Sequence, residues 1–295
     1  MEPVKLIIDT DIGPDCDDAG ALACAHALQS QGRCQLLAVT HCTSNPYGGA
    51  CIDAINRWYG CGDIPVGTLG REGFLSDPEH MKYNRYIAGH YPNRYASEPA
   101  PDAVAVLRRT LAGQADGSVT MCAIGPLSNL ADLLLSGPDE VSELNGLKLV
   151  ARKVRLLVDM GGGLAEAEWN LKLDRDAADL VCSWWPGEVW FSIFEVGATI
   201  ITGRAWQDGR DNPIADAYRL YSPQGRMSWD QTAVLAAVLG EKPWFTLSEP
   251  GIMAVTEDGT SVFTPSAGGN RRILHKAADD VELESAIDAL MHWMP

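Results

Sequence analysis

Residues 7–22 read Ile7-Ile8-Asp9-Thr10-Asp11-Ile12-Gly13-Pro14-Asp15-Cys16-Asp17-Asp18-Ala19-Gly20-Ala21-Leu22, with five carboxylates inside ten residues, just where the apolar run Leu6 to Ile8 ends. Asp9 and Asp11 are two apart and point the same way if the strand continues through them; Asp17 and Asp18 fall where an Ala-rich helix starts. The stretch therefore predicts a strand, a tight turn and a helix start. Carboxylates crowded together without a counter-ion raise each other's pKa and partly protonate, whereas one hard divalent ion satisfies several through oxygen ligands. A helix cap would use Asp17 or Asp18, and a turn after Pro14 would use Asp15. Asp9 and Asp11 stay unexplained by either, at the end of an apolar strand, where open α/β sheets place ligands. The loop reads as a metal site.

The remainder of the chain bounds what such a site can serve. With 295 residues, 46% of them hydrophobic, the chain can bury a large α/β core. A formal net charge of -16 opposes binding to nucleic-acid backbones or anionic membranes and favours a neutral or cationic small molecule. Eight cysteines without a CxxC pair read as free thiols of a cytoplasmic protein. A strand that begins directly after Met1-Glu2-Pro3 predicts no signal peptide, and no apolar run reaches membrane-span length.

Short apolar runs alternate with helical patterns: Val4 to Ile8, Ala19 to Leu28, Gln35 to Thr40, Ala50 to Tyr59 and Ile64 to Gly67. The same rhythm resumes with Asp102 to Leu111, Ser118 to Ile124, Asn129 to Leu135, Val154 to Val158, Asp174 to Cys182 and Glu188 to Phe194. It predicts parallel strands joined by crossover helices. Residues 70–101 interrupt it with Pro, Gly, Asn, Tyr and His, and are too long for an ordinary connection; they read as a binding loop or lid over a single domain spanning 1–295. Helices are expected at Trp229 to Leu239 and Val281 to Met294, and short antiparallel strands at Gly251 to Val255, Ser261 to Thr264 and Arg271 to Leu274.

Four further segments fall just after an expected strand or at a helix start, so they gather on one edge of the sheet with the aspartate loop. They are Thr40 to Asn45, Ile124-Gly125-Pro126-Leu127-Ser128-Asn129, Met160-Gly161-Gly162-Gly163 running to Glu168-Trp169-Asn170, and Trp229-Asp230. Together with the aspartate loop they resemble the nucleoside hydrolases of the inosine-uridine preferring type, over nearly the whole chain. The resemblance implies a Rossmann-like, mostly parallel open sheet with flanking helices and a small C-terminal antiparallel addition. It also implies a tightly bound calcium ion, hydrolysis of the N-glycosidic bond of ribonucleosides to base and ribose, and assembly as a homodimer or homotetramer.

Carried over by position, Asp11 resembles the calcium ligand that also takes a proton from the attacking water, and Asp18 a bidentate calcium ligand. Ile124 would offer its backbone carbonyl to the metal, Asp230 a further carboxylate, and Asp9 support from beneath. Asp17, Asn45, Glu168 and Asn170 would hold the ribose, with Trp169 in the usual aromatic position. Carboxylates near a ribosyl cation would stabilise its oxocarbenium character.

Two features depart from the family pattern. The turn between Gly13 and the final aspartate pair is two residues longer, which leaves Asp15 either as a supporting partner or in the role given to Asp17; Cys16 reads as loop packing, since surrounding carboxylates raise a thiol pKa. Trp229 stands where many members carry a histidine that protonates the departing base, and this matches a subset of the family. Residues 70–101 hold His80, Tyr83, Asn84, Tyr86, His90, Tyr91 and Tyr95 as groups able to close over a base, whereas His26 and His292 read as structural and His41 as either structural or near the site. Two other readings compete. One is a calcium-dependent nucleoside- or ribose-binding protein without turnover. The other is a haloacid-dehalogenase-type phosphatase built on Asp9-Thr10-Asp11, which leaves Asp17-Asp18 and the triple glycine unexplained.

Overall fold

The computed structural model describes residues 2–204, 206 and 211–295. Six parallel strands form the centre: β1 (Val4–Thr10), β2 (Cys34–His41), β3 (Val66–Thr68), β4 (Val119–Ile124), β5 (Val154–Asp159) and β6 (Glu188–Phe191). Their spatial order is 3-2-1-4-5-6, the order of a doubly wound Rossmann sheet. Leu6, Ile7 and Ile8 are fully buried, as a central parallel strand covered by helices on both faces requires. From β1 the chain winds outward through β2 and β3, then crosses to β4 on the other side of β1, so the crevice opens at the C-terminal ends of β1 and β4. Register aligns those ends: Thr10 lies beside both His41 and Ile124, and Asp159 beside Ala123.

Beyond β6 the sheet continues through Arg271–Lys276, which pairs with β6 in parallel. Gly251–Val255 and Ser261–Pro265 then add an antiparallel hairpin, and Phe245–Leu247 runs antiparallel to Arg271–Lys276. The antiparallel addition is thus present, and Arg271–Lys276 joins it to the parallel sheet, running parallel to β6 and antiparallel to Gly251–Val255 and Phe245–Leu247. Its anchor is Arg271, buried, which donates to the carbonyls of Cys182 (2.9 Å) and Trp185 (3.0 Å) at the end of helix Arg175–Trp184. Those carbonyls lack intrahelical partners, and the guanidinium supplies them.

Helix Asp17–Ser30 is buried almost all round and packs against helices Trp229–Leu239 and Asp280–Met291. Alternating alanines from Ala19 to Ala27 keep its surface shallow. At Gly20 an added Cβ would stand 2.5 Å from Gln231 Nε2 and 2.6 Å from the Tyr218 hydroxyl, so any larger residue would push those side chains aside. Close packing of these two helices brings their first turns together, Asp17 and Asp18 on one and Asp230 on the other. Helices Gly146–Lys153 and Pro213–Tyr221 and the ribbon pairing Ile201–Thr202 with Arg226–Met227 were not anticipated. Among the described residues no helix is long and apolar enough to cross a membrane.

Candidate active site

At the C-terminal edge of β1 and β4 lies a cavity of about 410 Å³. Asp11, Asp17, Asp18, Glu168, Asn170 and Asp230 line one end, with Ile124 and Met160 beneath. Carboxylate oxygens of Asp17, Asp18 and Asp230 all fall within 4.8 Å of one another. Asp11 faces the same space but stands outside that close set among the described residues. Neither Asp17 nor Asp18 caps its helix, whose cap position is Cys16 and has no side-chain bond. Asp18 accepts from the Thr10 hydroxyl, and Asp17 Oδ2 accepts from the Asp230 amide at 3.3 Å.

These groups carry more negative charge than the protein compensates. Burial first, and neighbouring carboxylates second, push Asp17, Asp18 and Asp230 well above the ordinary carboxylate range. Burial likewise takes Asp11 up to about 7, with Asp15, Glu168 and Asp9 adding to it. Glu168 is pushed up to about 7 by burial although it accepts backbone bonds from Gly162, Asn170 and Leu171. An all-oxygen set with such a deficit fits a hard divalent cation.

Asp9 lies under the cavity rather than on its wall. Its Oδ1 accepts from Thr40 Oγ1 at 2.5 Å and Asn129 Nδ2 at 2.8 Å, and burial takes it up to about 7. Glu168 caps helix Trp169–Leu173, and this turn holds Asn170 inward, its Nδ2 donating to the Met160 carbonyl at 3.0 Å. Cys16 is fully buried, and burial beside Asp15 and Asp17 keeps its thiol protonated.

The opposite end is aromatic and carries the cations. Trp169, Phe194, Tyr221 and Trp229 line it, with Arg226, Lys82 and His80. Trp229 donates its Nε1 hydrogen to the Phe194 carbonyl at 2.9 Å, so its one polar hydrogen is committed within the protein. Arg226 lies 5.0 Å from the Trp229 ring centroid and 5.6 Å from that of Tyr221. Asp15 grips it in a two-pronged ion pair: Nε donates to Oδ2 at 2.7 Å and to Oδ1 at 3.0 Å, and Nη2 donates to Oδ2.

A profile described as inosine-uridine preferring nucleoside hydrolase matches residues 6–282. The chain belongs to that family. The chain is 28% identical over 187 residues to an uncharacterized protein of Schizosaccharomyces pombe, covering 61% of this chain and 58% of the other. It is 29% identical over 184 residues to the pyrimidine-specific ribonucleoside hydrolase RihA of Photobacterium profundum, covering 60% and 56%. The matches therefore span less than two thirds of either relative's length. In three dimensions it superposes on the inosine-uridine preferring nucleoside hydrolase of Bacillus anthracis with a TM-score of 0.73, over 98% of this chain and 99% of that one, at 18% identity. The two share a fold.

Two sequence expectations meet a different placement in the structure. Asn45, expected at the ribose, does not reach the cavity wall. Its Nδ2 donates to the His80 carbonyl at 2.6 Å and its Oδ1 accepts from the Tyr47 amide at 2.9 Å, so the side chain is spent on holding the chain after β2 to residues 70–101. Of the aromatic, asparagine and histidine side chains expected from residues 70–101, only His80 lines the cavity, its Nδ1 2.9 Å from Asp77 Oδ2. Tyr83 is fully buried, Asn84 donates to the Ile12 carbonyl at 3.1 Å and Tyr91 to Asp216 at 2.6 Å, while His90 stacks on Tyr86 away from the cavity. His26 and His41 are buried and stay neutral, taken down to about 4 and about 3 by burial. An attack on phosphorus by Asp9, which the phosphatase reading requires, has no geometry here, since that carboxylate is buried off the cavity.

Arg226, Tyr221, Phe194, Lys82 and Glu79 line the cavity without having been singled out in the sequence. For Arg226 a signal existed. Asp15 was left without an assigned partner, and Arg226 stands three residues before Trp229.

Proposed function

We propose that this protein hydrolyses the N-glycosidic bond of ribonucleosides to free base and ribose, with calcium at the aspartate cluster. The observation that carries this reading is the convergence of Asp17, Asp18 and Asp230 opposite Asp11 and Glu168, in a cavity whose far end is aromatic. Its volume of about 410 Å³ suits a nucleoside. Family membership and the pyrimidine-specific ribonucleoside hydrolase of Photobacterium profundum among its relatives support the substrate class. Eight free cysteines accord with a cytoplasmic enzyme, and we take it to act as a homodimer or homotetramer, as the resemblance implies.

Asp18 and Asp230, with Asp17, Asp11 and the Ile124 carbonyl around them, would hold the ion, since calcium accepts six to eight oxygens in adaptable geometry. When bound, it supplies the counter-charge that keeps these carboxylates ionised and a Lewis-acid hold on vicinal hydroxyls. Asp11 takes the proton of the attacking water. Glu168, Asn170 and Asp17 orient the ribose, and the surrounding carboxylates favour positive charge at C1′ as the bond to the base opens. Trp169 and Trp229 border the base.

Asp11→Ala should lower turnover on the order of 10³-fold while nucleoside binding persists, read by coupled release of base and reducing sugar. An unchanged rate would sink the mechanism. Because Trp229 cannot protonate a base, a second reading has a specific observation behind it: tight, calcium-dependent nucleoside binding with no turnover on long incubation would make this a binding protein.

A further inference from the structure

The two departures from the family pattern, the longer turn and Trp229, meet at one side chain. The longer turn carries Asp15, whose carboxylate lies beside the cluster and holds Arg226 by two prongs. The guanidinium is thereby fixed over Trp229, on the cavity wall, at the end where a base would sit. Its third nitrogen, Nη1, makes no hydrogen bond among the described residues. A surface salt bridge would leave the arginine free to wander. Here the Asp15 fork sets the plane of the guanidinium, and the rings of Tyr221 and Trp229 lie within cation–π distance of it.

We infer that Arg226 is the group that stabilises the departing base, by charge and a hydrogen bond from Nη1 rather than by giving up a proton, and that Asp15 is its positioning residue. The inference rests on the hydrolase reading above. When the C1′–N bond breaks, its electron pair goes to the ring nitrogen of the base; C1′ gains the water oxygen, and the water proton passes to Asp11. The base leaves with the negative charge that a histidine would otherwise have cancelled. Arginine stays protonated at any working pH and cannot serve as the acid, but a fixed cation aimed at developing negative charge lowers the same barrier. In a cavity crowded with carboxylates an anionic base needs such a counter-charge to form, and of the lining cations Lys82, His80 and Arg226 only Arg226 is held over Trp229.

The test compares leaving groups on the calcium-loaded protein. On inosine and uridine, Arg226→Gln should lose on the order of 100-fold in kcat, but under about threefold on 4-nitrophenyl ribofuranoside, whose leaving group is a stable anion needing no help. Arg226→Lys should restore part of the loss, and Asp15→Asn should shift the same selectivity in the same direction by less. Equal losses on both substrate types would overturn the inference and mark the pair as structural. A binding arm stands apart from turnover: at pH 7, Arg226→Gln should shift the ratio of affinities for urate, an anion, over hypoxanthine, which is neutral, roughly tenfold against urate. An unchanged ratio contradicts the inference. If the wild type cleaves none of the ribosides, the hydrolase reading fails, and the binding arm still decides whether Arg226 favours an anionic base.

Discussion

The two ends of the cavity are built in opposite ways. The acidic end stands on strand termini and first turns of buried helices: Asp11 after β1, Ile124 at the end of β4, Asp17 and Asp18 on one helix, Asp230 on its close-packed neighbour. The aromatic lining shares the helix of Asp230 through Trp229 and adds Tyr221 at the end of Pro213–Tyr221, but takes Phe194 from a four-residue helix, Arg226 from a two-residue ribbon and His80 from a short turn. Rigid elements position the sugar and water chemistry to a fraction of an ångström, as a reaction at C1′ demands. Irregular elements can change length without disturbing the core, which suits base selection.

If that division is real, the largest effects should come from the acidic end. Asp18→Ala, with neighbouring carboxylates left uncompensated and the metal set broken, should cost on the order of 10³-fold in kcat, whereas Trp229→Phe, which removes one hydrogen bond to the Phe194 carbonyl, should cost about tenfold at most. Comparable losses would break the comparison. Next in size is sugar discrimination. A site whose Glu168, Asn170 and Asp17 await hydroxyl partners should process 2′-deoxynucleosides at least ~10²-fold more slowly than ribonucleosides, because the missing hydroxyl leaves buried groups unpaired. Equal rates would remove the acidic end from ribose recognition.

A smaller effect separates the ends by stability. Asp9 and Glu168 sit at about 7 in the folded protein because of burial, against about 4 in an unfolded chain. Their folded pKa lies above the unfolded value, so folding holds these protons more tightly. The stability they contribute is full below about pH 4 and is lost as pH rises through about 7. The chelator-treated protein should therefore melt several degrees lower at pH 7.5 than at pH 5, and calcium, which binds ionised carboxylates, should narrow that gap. A melting temperature that rises with pH in the presence of chelator would contradict the account of the cluster. Smallest of all, Asn45→Ala should leave KM within about threefold, since its amide serves the His80 carbonyl and not the cavity lining.

This contrast also explains what could be read from the chain. β1 to β6 and most of their crossover helices were legible because buried parallel strands need continuous apolar runs; Asp9, Asp11, Asp17 and Asp18 were conspicuous because so many carboxylates have few other uses, while Asp230 stood out only through the family resemblance. Arg271–Lys276 has the antiparallel neighbours expected of it, but its further parallel pairing with β6 leaves no mark in six residues of which only Ile273 and Leu274 are apolar. Asn45 lies off the cavity lining because a motif position fixes a backbone, not the direction in which an amide spends its hydrogen bonds. Arg226 was passed over because pairing with Asp15, 211 residues away, leaves no local pattern.

The central claim is that a cation-loaded aspartate cluster opens ribonucleosides. Its most direct measurement is a panel of purine and pyrimidine ribonucleosides assayed for free base and reducing sugar, with calcium, with chelator, and with calcium restored. The account predicts equal molar release of base and ribose from at least one nucleoside, abolished by chelator and recovered with calcium. Release unaffected by chelator, or no free base from any nucleoside, would contradict it.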